Sequence, residues 1–402
     1  MYIFIIKKLI MKMFDVVISG AGPAGSKSAQ ILAEGGFEVA LIEKDINWRK
    51  PCGGAVSSRI FKYYPQLRKL NYPPNTGVTI YSGDYRKIKY SWKNIRDYSI
   101  NVDRLEFDNF VRNIAIEAGA QLFNKNISYD FVTKNSRRVG IKTKTPSGTK
   151  EYLGKILIIA DGMSSKLAPK SGLKGKWKID EIGLCKCAIM EGENLLDKDS
   201  ISLFFRAYKG YGWIFPIDDK RFNIGCGTWL DENLNSNLNQ IYTEFLNDPH
   251  IKKFFPKSHY KEIWNGAYPI PALGVKEKSL YGDNIMIIGD AAGFVSPISG
   301  EGIHPSIVSG KCAAETAIEA LKNDDISKQS LKKYKQHPNI KKIIRNFKMK
   351  VSMVEFLFEN KGQNLSKMFE LADTDDKIRE EVINMFLFSI PPSKELLLKI
   401  QS

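Results

Sequence analysis

Cysteine and histidine are scarce in this chain of 402 residues. The five cysteines lie at 52, 185, 187, 226 and 312, and no two form a Cys-x-x-Cys pair; the four histidines lie at 250, 259, 304 and 337. Zinc and iron–sulfur sites need clustered thiolates or imidazoles, so neither is expected. An odd, scattered cysteine set fits a reducing cytoplasm better than a disulfide framework. Long apolar runs are also missing. The opening Met1-Tyr2-Ile3-Phe4-Ile5-Ile6 reaches Lys7 and Lys8 too soon to span a bilayer, and no small-residue cleavage site follows. It reads as an extension before the first strand, with Met11 or Met13 as alternative starts. There are no internal repeats and no low-complexity linker. No zinc finger or RNP sequence is present, so nucleic-acid binding has no support.

What is present is globular in character: 43% hydrophobic and 26% charged residues, with room for two or three domains. Cations outnumber anions 60 to 44, a net charge of +16, which points to an anionic partner. The excess is concentrated: between Ile326 and Lys350 there are nine Lys or Arg and no Asp or Glu. Ile340, Ile343, Ile344, Phe347, Val351 and Val354 recur there at helical spacing. This predicts a basic amphipathic helix whose stripe faces either the protein body or a membrane.

The strongest local signal is Gly20-Ala21-Gly22-Pro23-Ala24-Gly25. It lies between an apolar strand, Phe14 to Ser19, and a helical stretch, Ala24 to Glu34; a second strand runs from Glu38 to Glu43. In G-x-G-x-x-G, Gly20 permits the tight turn. Gly22 lets a pyrophosphate approach the backbone, and Gly25 lets helix and strand pack closely. The helix N-terminus offers free N–H groups to the phosphates. Glu43, ending the second strand, is placed to accept from ribose hydroxyls and disfavours a 2′-phosphate. A second signal stands far along the chain, Gly289-Asp290-Ala291-Ala292-Gly293 and then Gly300-Glu301-Gly302-Ile303. Asp290, ending a buried strand (Ile285 to Ile288), can bind a ribityl or ribose hydroxyl. Gly300, Gly302 and Ile303 open a helix whose N–H groups suit the flavin N1–C2=O edge, where charge develops on reduction. The pair of signals predicts FAD. Arg104 falls at a predicted helix start (Glu106 to Ala118) and reads as a clamp for the FAD phosphates or as a surface cap.

Together with Asp161-Gly162 and Arg104-x-x-Phe107-Asp108, these motifs resemble the glutathione-reductase-type flavoproteins of the aromatic-hydroxylase branch. Within it, Lys50-Pro51-Cys52-Gly53-Gly54, Tyr211-Gly212-Trp213-Ile214-Phe215-Pro216 and the Gly289 to Ile303 stretch are similar to the geranylgeranyl reductase family. The likeness spans roughly residues 14 to 350. It implies FAD contacts at Cys52, Gly53 and Ala55, and also at Ala24 and Ile127. Tyr211, Trp213 and Phe215 share one strand face and would form an aromatic wall for a prenyl chain, or an ordinary sheet core. The thiol of Cys52 would relay a proton to the alkene or simply pack. Cys185 and Cys187 read as small core residues. Two positions depart from the family pattern: Gly54 stands where an acid is usual, and Tyr208 where the Pro before the aromatic strand is usual.

The implied class is α/β (α+β): a Rossmann-like FAD-binding domain, an inserted antiparallel-sheet substrate domain and a C-terminal helical region. The expected boundaries are 12–66, 97–172 and 278–325 for the FAD domain, 67–96 and 173–277 for the sheet domain, and 326–402 for the helices. The resemblance implies FAD-dependent reduction of isolated C=C bonds in geranylgeranyl chains of archaeal-type phospholipids. The alternative is an FAD monooxygenase or halogenase. Aromatic hydroxylases tend to carry His where this chain has Gly293, and halogenases Trp-x-Trp-x-Ile where it has Tyr211, Trp213 and Phe215. A third reading is a prenyl-lipid carrier or cyclase that keeps FAD as structure. No second dinucleotide fingerprint is present, so the electron donor, ferredoxin or NADPH, is external. The expected location is cytoplasmic, peripheral on the inner face of the cell membrane and in contact with anionic lipid.

Overall fold

The computed structural model describes residues 12–84, 86–91, 98–206, 209–230, 237–255, 260–276, 278, 280–388 and 390–401. The N-terminal run, Tyr208 and His259 lie outside the described residues.

The first sheet is built on Met13–Ser19. This strand pairs in parallel with Val39–Ile42 on one side and with Gly148–Ile159 on the other. Ile285–Ile287 joins the far edge in parallel, at Leu157 to Ile159. The strand nearest the C-terminus thus lies in the sheet that the N-terminus starts, and the expected return of the chain is seen. Val16, Val17, Ile18, Leu157, Ile158 and Ile159 are all buried, because helices cover the sheet. Two of these, Pro23–Glu34 and Ile303–Lys322, lie backbone to backbone. A Cβ at Gly310 would stand 2.2 Å from the Ala24 carbonyl oxygen, so a glycine is required there.

The second sheet has seven strands, in the order Tyr260–Pro271, Ile182–Gly192, Arg221–Trp229, Gly210–Pro216, Ser200–Phe205, Gly77–Tyr81 and Lys87–Ser91. It departs from the expectation of an antiparallel sheet at one seam: Ser200–Phe205 runs parallel to Gly77–Tyr81. The two strands come from segments more than a hundred residues apart, so no hairpin constrains their direction. Nor does Ser200–Phe205 alternate between core and solvent; all six residues are buried. Its Phe204 face packs under Tyr242, Phe245 and Ile251 of two short helices, Leu238–Asn247 and Pro249–Lys252. Its Phe205 face meets Phe369 and Phe386 of the C-terminal helices.

The single basic helix expected across Ile326 to Lys350 is two helices, Lys328–Gln336 and Pro338–Leu357, broken at His337. Pro338 cannot donate to the preceding turn, and His337 caps the new helix through the Asn339 N–H. The apolar stripe belongs to the body: Ile340, Ile344, Phe347 and Val354 are buried. Among the described residues no helix is long and apolar enough to cross a membrane.

Candidate active site

Between the two sheets runs a groove of two chambers that share Pro23, Lys50, Arg104, Asp290 and Ser306. The first chamber is the more polar of the two. Gly20, Gly22, Ala24, Glu43 and Ile127 line it, with Lys44, Trp48, Arg112, Asn126, Asp161 and Tyr268. Gly25 is not on its wall. A Cβ at Gly25 would lie 1.9 Å from the Gly20 oxygen, so this residue keeps strand and helix in contact. Gly20 has φ +99°, and a Cβ there would meet the Ala160 oxygen at 2.4 Å. At Gly22 a Cβ would meet nothing within 4 Å, so this side of the turn is open to the groove. One Glu43 oxygen accepts from the Ala21 N–H at 2.7 Å, and the other from the Lys44 N–H at 2.9 Å. Glu43 therefore braces the glycine turn as well as facing the chamber.

Two helices open on the groove without a side-chain cap: Pro23–Glu34, after Gly22, and Ile303–Lys322, after Gly302. By contrast, Asp103, Asn237, Ser327 and His337 cap the helices that follow them. Uncapped N-terminal amides are donors waiting for an acceptor. Two buried carboxylate oxygens, Asp161 Oδ1 and Glu301 Oε1, also lack a partner, one in each chamber. Burial pushes the Asp161 carboxyl up to about 7, against a hydrogen bond from Ser165 that lowers it. A protonated carboxyl there can donate as well as accept. Donors, an open glycine turn and partnerless acceptors along one groove fit an FAD molecule laid through both chambers.

At the junction, Lys50 Nζ is hydrogen-bonded to Asp290 Oδ2. Burial pushes the Lys50 ammonium down, but the Asp290 charge outweighs it and the group titrates above its ordinary range. Arg104 is not a surface cap. It is buried, and its Nε and Nη2 donate to the two Asp108 oxygens at 3.1 and 2.7 Å. Its remaining donors are what it can offer a ligand.

The second chamber is mostly apolar. Cys52, Gly53, Ala55, Tyr211, Trp213, Phe215, Gly300, Gly302 and Ile303 all line it. The aromatic strand is tied to both loops that face it. Tyr211 donates its hydroxyl to the Ser299 carbonyl. Trp213 Nε1 donates to Asn223 Oδ1 at 2.8 Å, and Asn223 Nδ2 donates to the Cys52 carbonyl at 2.9 Å. A Cβ at Gly53 would stand 2.7 Å from the Phe215 ring, so only glycine lets this loop approach the wall. Cys187 is core, as expected, but Cys185 is half-buried on the chamber wall. It sits opposite Gly227, where a Cβ would stand 2.9 Å from the Cys185 Sγ, so the glycine makes room for the thiol.

A family model described as "FAD binding domain" matches residues 13–339. A curated digeranylgeranylglycerophospholipid reductase 1 of Methanopyrus kandleri is 30% identical over 331 residues, covering 80% of this chain and 84% of its own. The chain belongs to the digeranylgeranylglycerophospholipid reductase family. A second such protein, reductase 2 of the same organism, is 29% identical over 394 residues, 92% of this chain and 94% of its own. In the fold, a geranylgeranyl bacteriochlorophyll reductase-like protein of Thermoplasma acidophilum superposes with a TM-score of 0.82 at 24% identity, over 97% of this chain and 99% of that one. The flavin-dependent brominase Bmp2, as a triple mutant, reaches 0.75 at 19% identity over 96% and 98%. These two likenesses speak for the fold.

Several groove residues of this family member carry no local signal in the sequence. Lys50 was visible inside a motif, but its pairing with Asp290, 240 positions away, was not. Phe205 lay in a run that read as plain strand. Val354, Phe358 and Phe386, also on the apolar wall, come from helices whose stripes look like any core. Away from the groove, Cys312, Glu315 and His337 bring ligand-type atoms within 4.8 Å of one another. His337 is already engaged there, as the cap described above.

Proposed function

We infer that this chain is an FAD-dependent reductase that saturates isolated C=C bonds of geranylgeranyl chains on phospholipids. The observation that carries the reading is the groove's change of character along its length. A more polar, amide-rich chamber suited to a dinucleotide joins a mostly apolar, aromatic-lined one suited to a prenyl chain. FAD, when bound, supplies the hydride that such a reduction needs.

In this reading Gly20, Gly22, Ala24, Glu43 and Ile127 hold the AMP half of the cofactor, and Gly25 keeps the helix against the strand beneath it. Arg104, Asp290 and Lys50 hold its centre, and Cys52, Gly53, Ala55, Gly300, Gly302 and Ile303 surround the ring. The free amides beyond Gly302 stabilise negative charge at the ring edge. Tyr211, Trp213 and Phe215 bind and orient the chain against the ring and keep water away, because an unactivated alkene offers no handle but its shape. In this reading 12–66, 97–172 and 278–325 bind FAD, 67–96 and 173–277 bind the chain, and the helices of 326–402 close the wall. Electrons come from an external donor, an acidic ferredoxin or NADPH. The exposed lysines of Lys328–Gln336 and Pro338–Leu357 suit such a protein or an anionic lipid surface. The location consistent with this is cytoplasmic, peripheral on the membrane.

The test is anaerobic. Protein reduced with dithionite is mixed with a geranylgeranylated phospholipid, while flavin absorbance and lipid mass are followed. Flavin reoxidation with a gain of two hydrogens per bond is the expected result. Reduced flavin that ignores the lipid and instead consumes oxygen in step with product would replace this reading with a monooxygenase or halogenase.

A further inference from the structure

Reducing an alkene requires a proton as well as a hydride, and the apolar chamber has few groups able to give one. One cation stands directly behind its wall. Lys350, on the Pro338–Leu357 helix, is 3% exposed, and its Nζ donates to Ser296 Oγ at 2.6 Å. Ser296 lines the chamber together with Glu301. The loop between them is braced. Ser296 N–H donates to the Glu301 carbonyl at 2.9 Å, the Gly300 N–H donates back to the Ser296 carbonyl at 2.9 Å, and Tyr211 holds Ser299. Ser296 is thus held on the chamber wall that Gly300, Gly302 and Ile303 also line.

A lysine so placed is not explained by packing. Removing an ammonium from water is costly unless its protons have a use or a partner. Lys350 Nζ has Ser296 as its hydrogen-bond acceptor and lies 5.8 Å from the centroid of the Phe347 ring, both neutral; the charge acting on it is that of Glu301, which has a buried oxygen without a partner. Cys52 is differently engaged: its Sγ accepts from the Gly54 N–H at 3.4 Å, and the Arg104 guanidinium lies beside it.

We propose that Lys350 and Ser296 form the relay that delivers the proton to the alkene, with Ser296 as the group that touches substrate and Lys350 as the group that recharges it. The proposal rests on the reductase reading. The alkene takes a hydride on one carbon from reduced FAD and a proton on the other from the Ser296 hydroxyl. Ser296 takes a proton from the Lys350 ammonium at the same time. Lys350 is left as a neutral amine and regains its proton from water between turnovers. FAD ends oxidised by two electrons, and the external donor reduces it again.

Burial lowers the Lys350 ammonium to about 8, with Glu301 acting in the opposite direction. The proton-loaded form is thus present at neutral pH and fades above it. The other titratable groups on the chamber wall are Cys52, Lys50, Tyr98, Asp290, Arg104, Tyr211, Cys185 and Glu301. Lys50, Arg104, Tyr211 and Cys185 are all held above their ordinary ranges, so none of these four loses its proton near pH 8.

The experiment is single turnover of dithionite-reduced holoprotein with a geranylgeranylated phospholipid, followed from pH 6 to 10. It compares wild type, Lys350→Met, Ser296→Ala and Cys52→Ser. In wild type the rate is level below pH 7 and falls about tenfold per pH unit above 8. Both relay variants lose at least tenfold at pH 7 and lose the break near 8, while keeping flavin and substrate binding. Cys52→Ser, whatever its rate, keeps the break. Ser296→Ala removes one oxygen and guards against misfolding of the lysine variant. If wild type saturates the lipid and either folded relay variant matches its rate and pH profile, the relay is wrong while the reductase reading stands. A break that vanishes only in Cys52→Ser moves the relay to Cys52. If wild type does not saturate the lipid at all, it is the reductase reading that fails.

Discussion

The two chambers of the groove meet at Lys50 and Asp290 yet are built in opposite ways. The polar one is made largely by backbone: an uncapped helix end, a glycine turn and a carboxylate that braces it. The aromatic one is made by side chains gathered from strands near 205 and 213 and from helices beyond 350. A backbone site fails sharply when a single atom is added, whereas a side-chain site fails by degrees as volume is removed.

The sharpest way to break this contrast is at Gly25. With a Cβ due 1.9 Å from a carbonyl oxygen, Gly25→Ala should displace the helix from the strand and cost more than about 3 kcal/mol. The purified variant is expected to carry no flavin by absorbance; one that kept it would show that the turn has slack. At the other end, Phe386→Ala empties part of the wall beside Phe205 and should cost about 3 kcal/mol in denaturant unfolding, with flavin retained. Loss of flavin in that variant would mean that the chambers are one cooperative unit. Glu43→Gln keeps the shape of the brace but not its charge. It should weaken FAD by about 1.5 to 3 kcal/mol, roughly ten- to a hundredfold in a flavin titration of apoprotein.

Legibility in the sequence followed the same division. Gly20 to Glu43 could be read as a unit because strand, turn, helix and acid are adjacent in the chain and each has a fixed job. The 290 to 303 stretch was readable for the same reason. The aromatic strand was legible only in part. Tyr211, Trp213 and Phe215 announce a shared face, but nothing local says what faces them. The parallel seam at Ser200–Phe205 left no trace, since pairing between distant segments has no turn to mark it. Lys350 was hidden differently, as one more cation in a run of nine. A spacing did mark it: Phe347, Lys350 and Val354 fall on one helical face, and all three are buried.

That lysine offers a smaller test. Its folded value of about 8 lies below the ordinary 10.5, so folding penalises the charged form. The penalty is full below pH 8 and disappears as pH rises to 10.5, so wild-type stability should climb across that window. The gap corresponds to about 3 kcal/mol. Lys350→Met should therefore be more stable than wild type at pH 7, by about 1 to 2 kcal/mol once the lost hydrogen bond is deducted. The advantage should vanish between pH 8 and 10.5 and turn into a deficit of about 1 kcal/mol by pH 10.5, in thermal or denaturant melts. The smallest effect concerns the basic face. If an acidic protein donor docks there, reduction of bound flavin should slow several-fold between 50 and 500 mM salt, roughly; a rate indifferent to salt would count against charge-guided docking.

The aromatic wall also imposes an order of events on biosynthesis. The strands and helices that cradle FAD are complete once the Ile285–Ile287 strand and the Ile303–Lys322 helix have been made. Val354, Phe358 and Phe386 follow later in translation. A chain still attached to the ribosome can thus hold a finished cofactor cradle beside an open, greasy trough. Cofactor loaded at that stage enters from an unobstructed side, and the last helices then shut behind it. A protein stalled or clipped before residue 354 would be yellow but sticky, and a quality-control protease would meet it as an exposed hydrophobic surface.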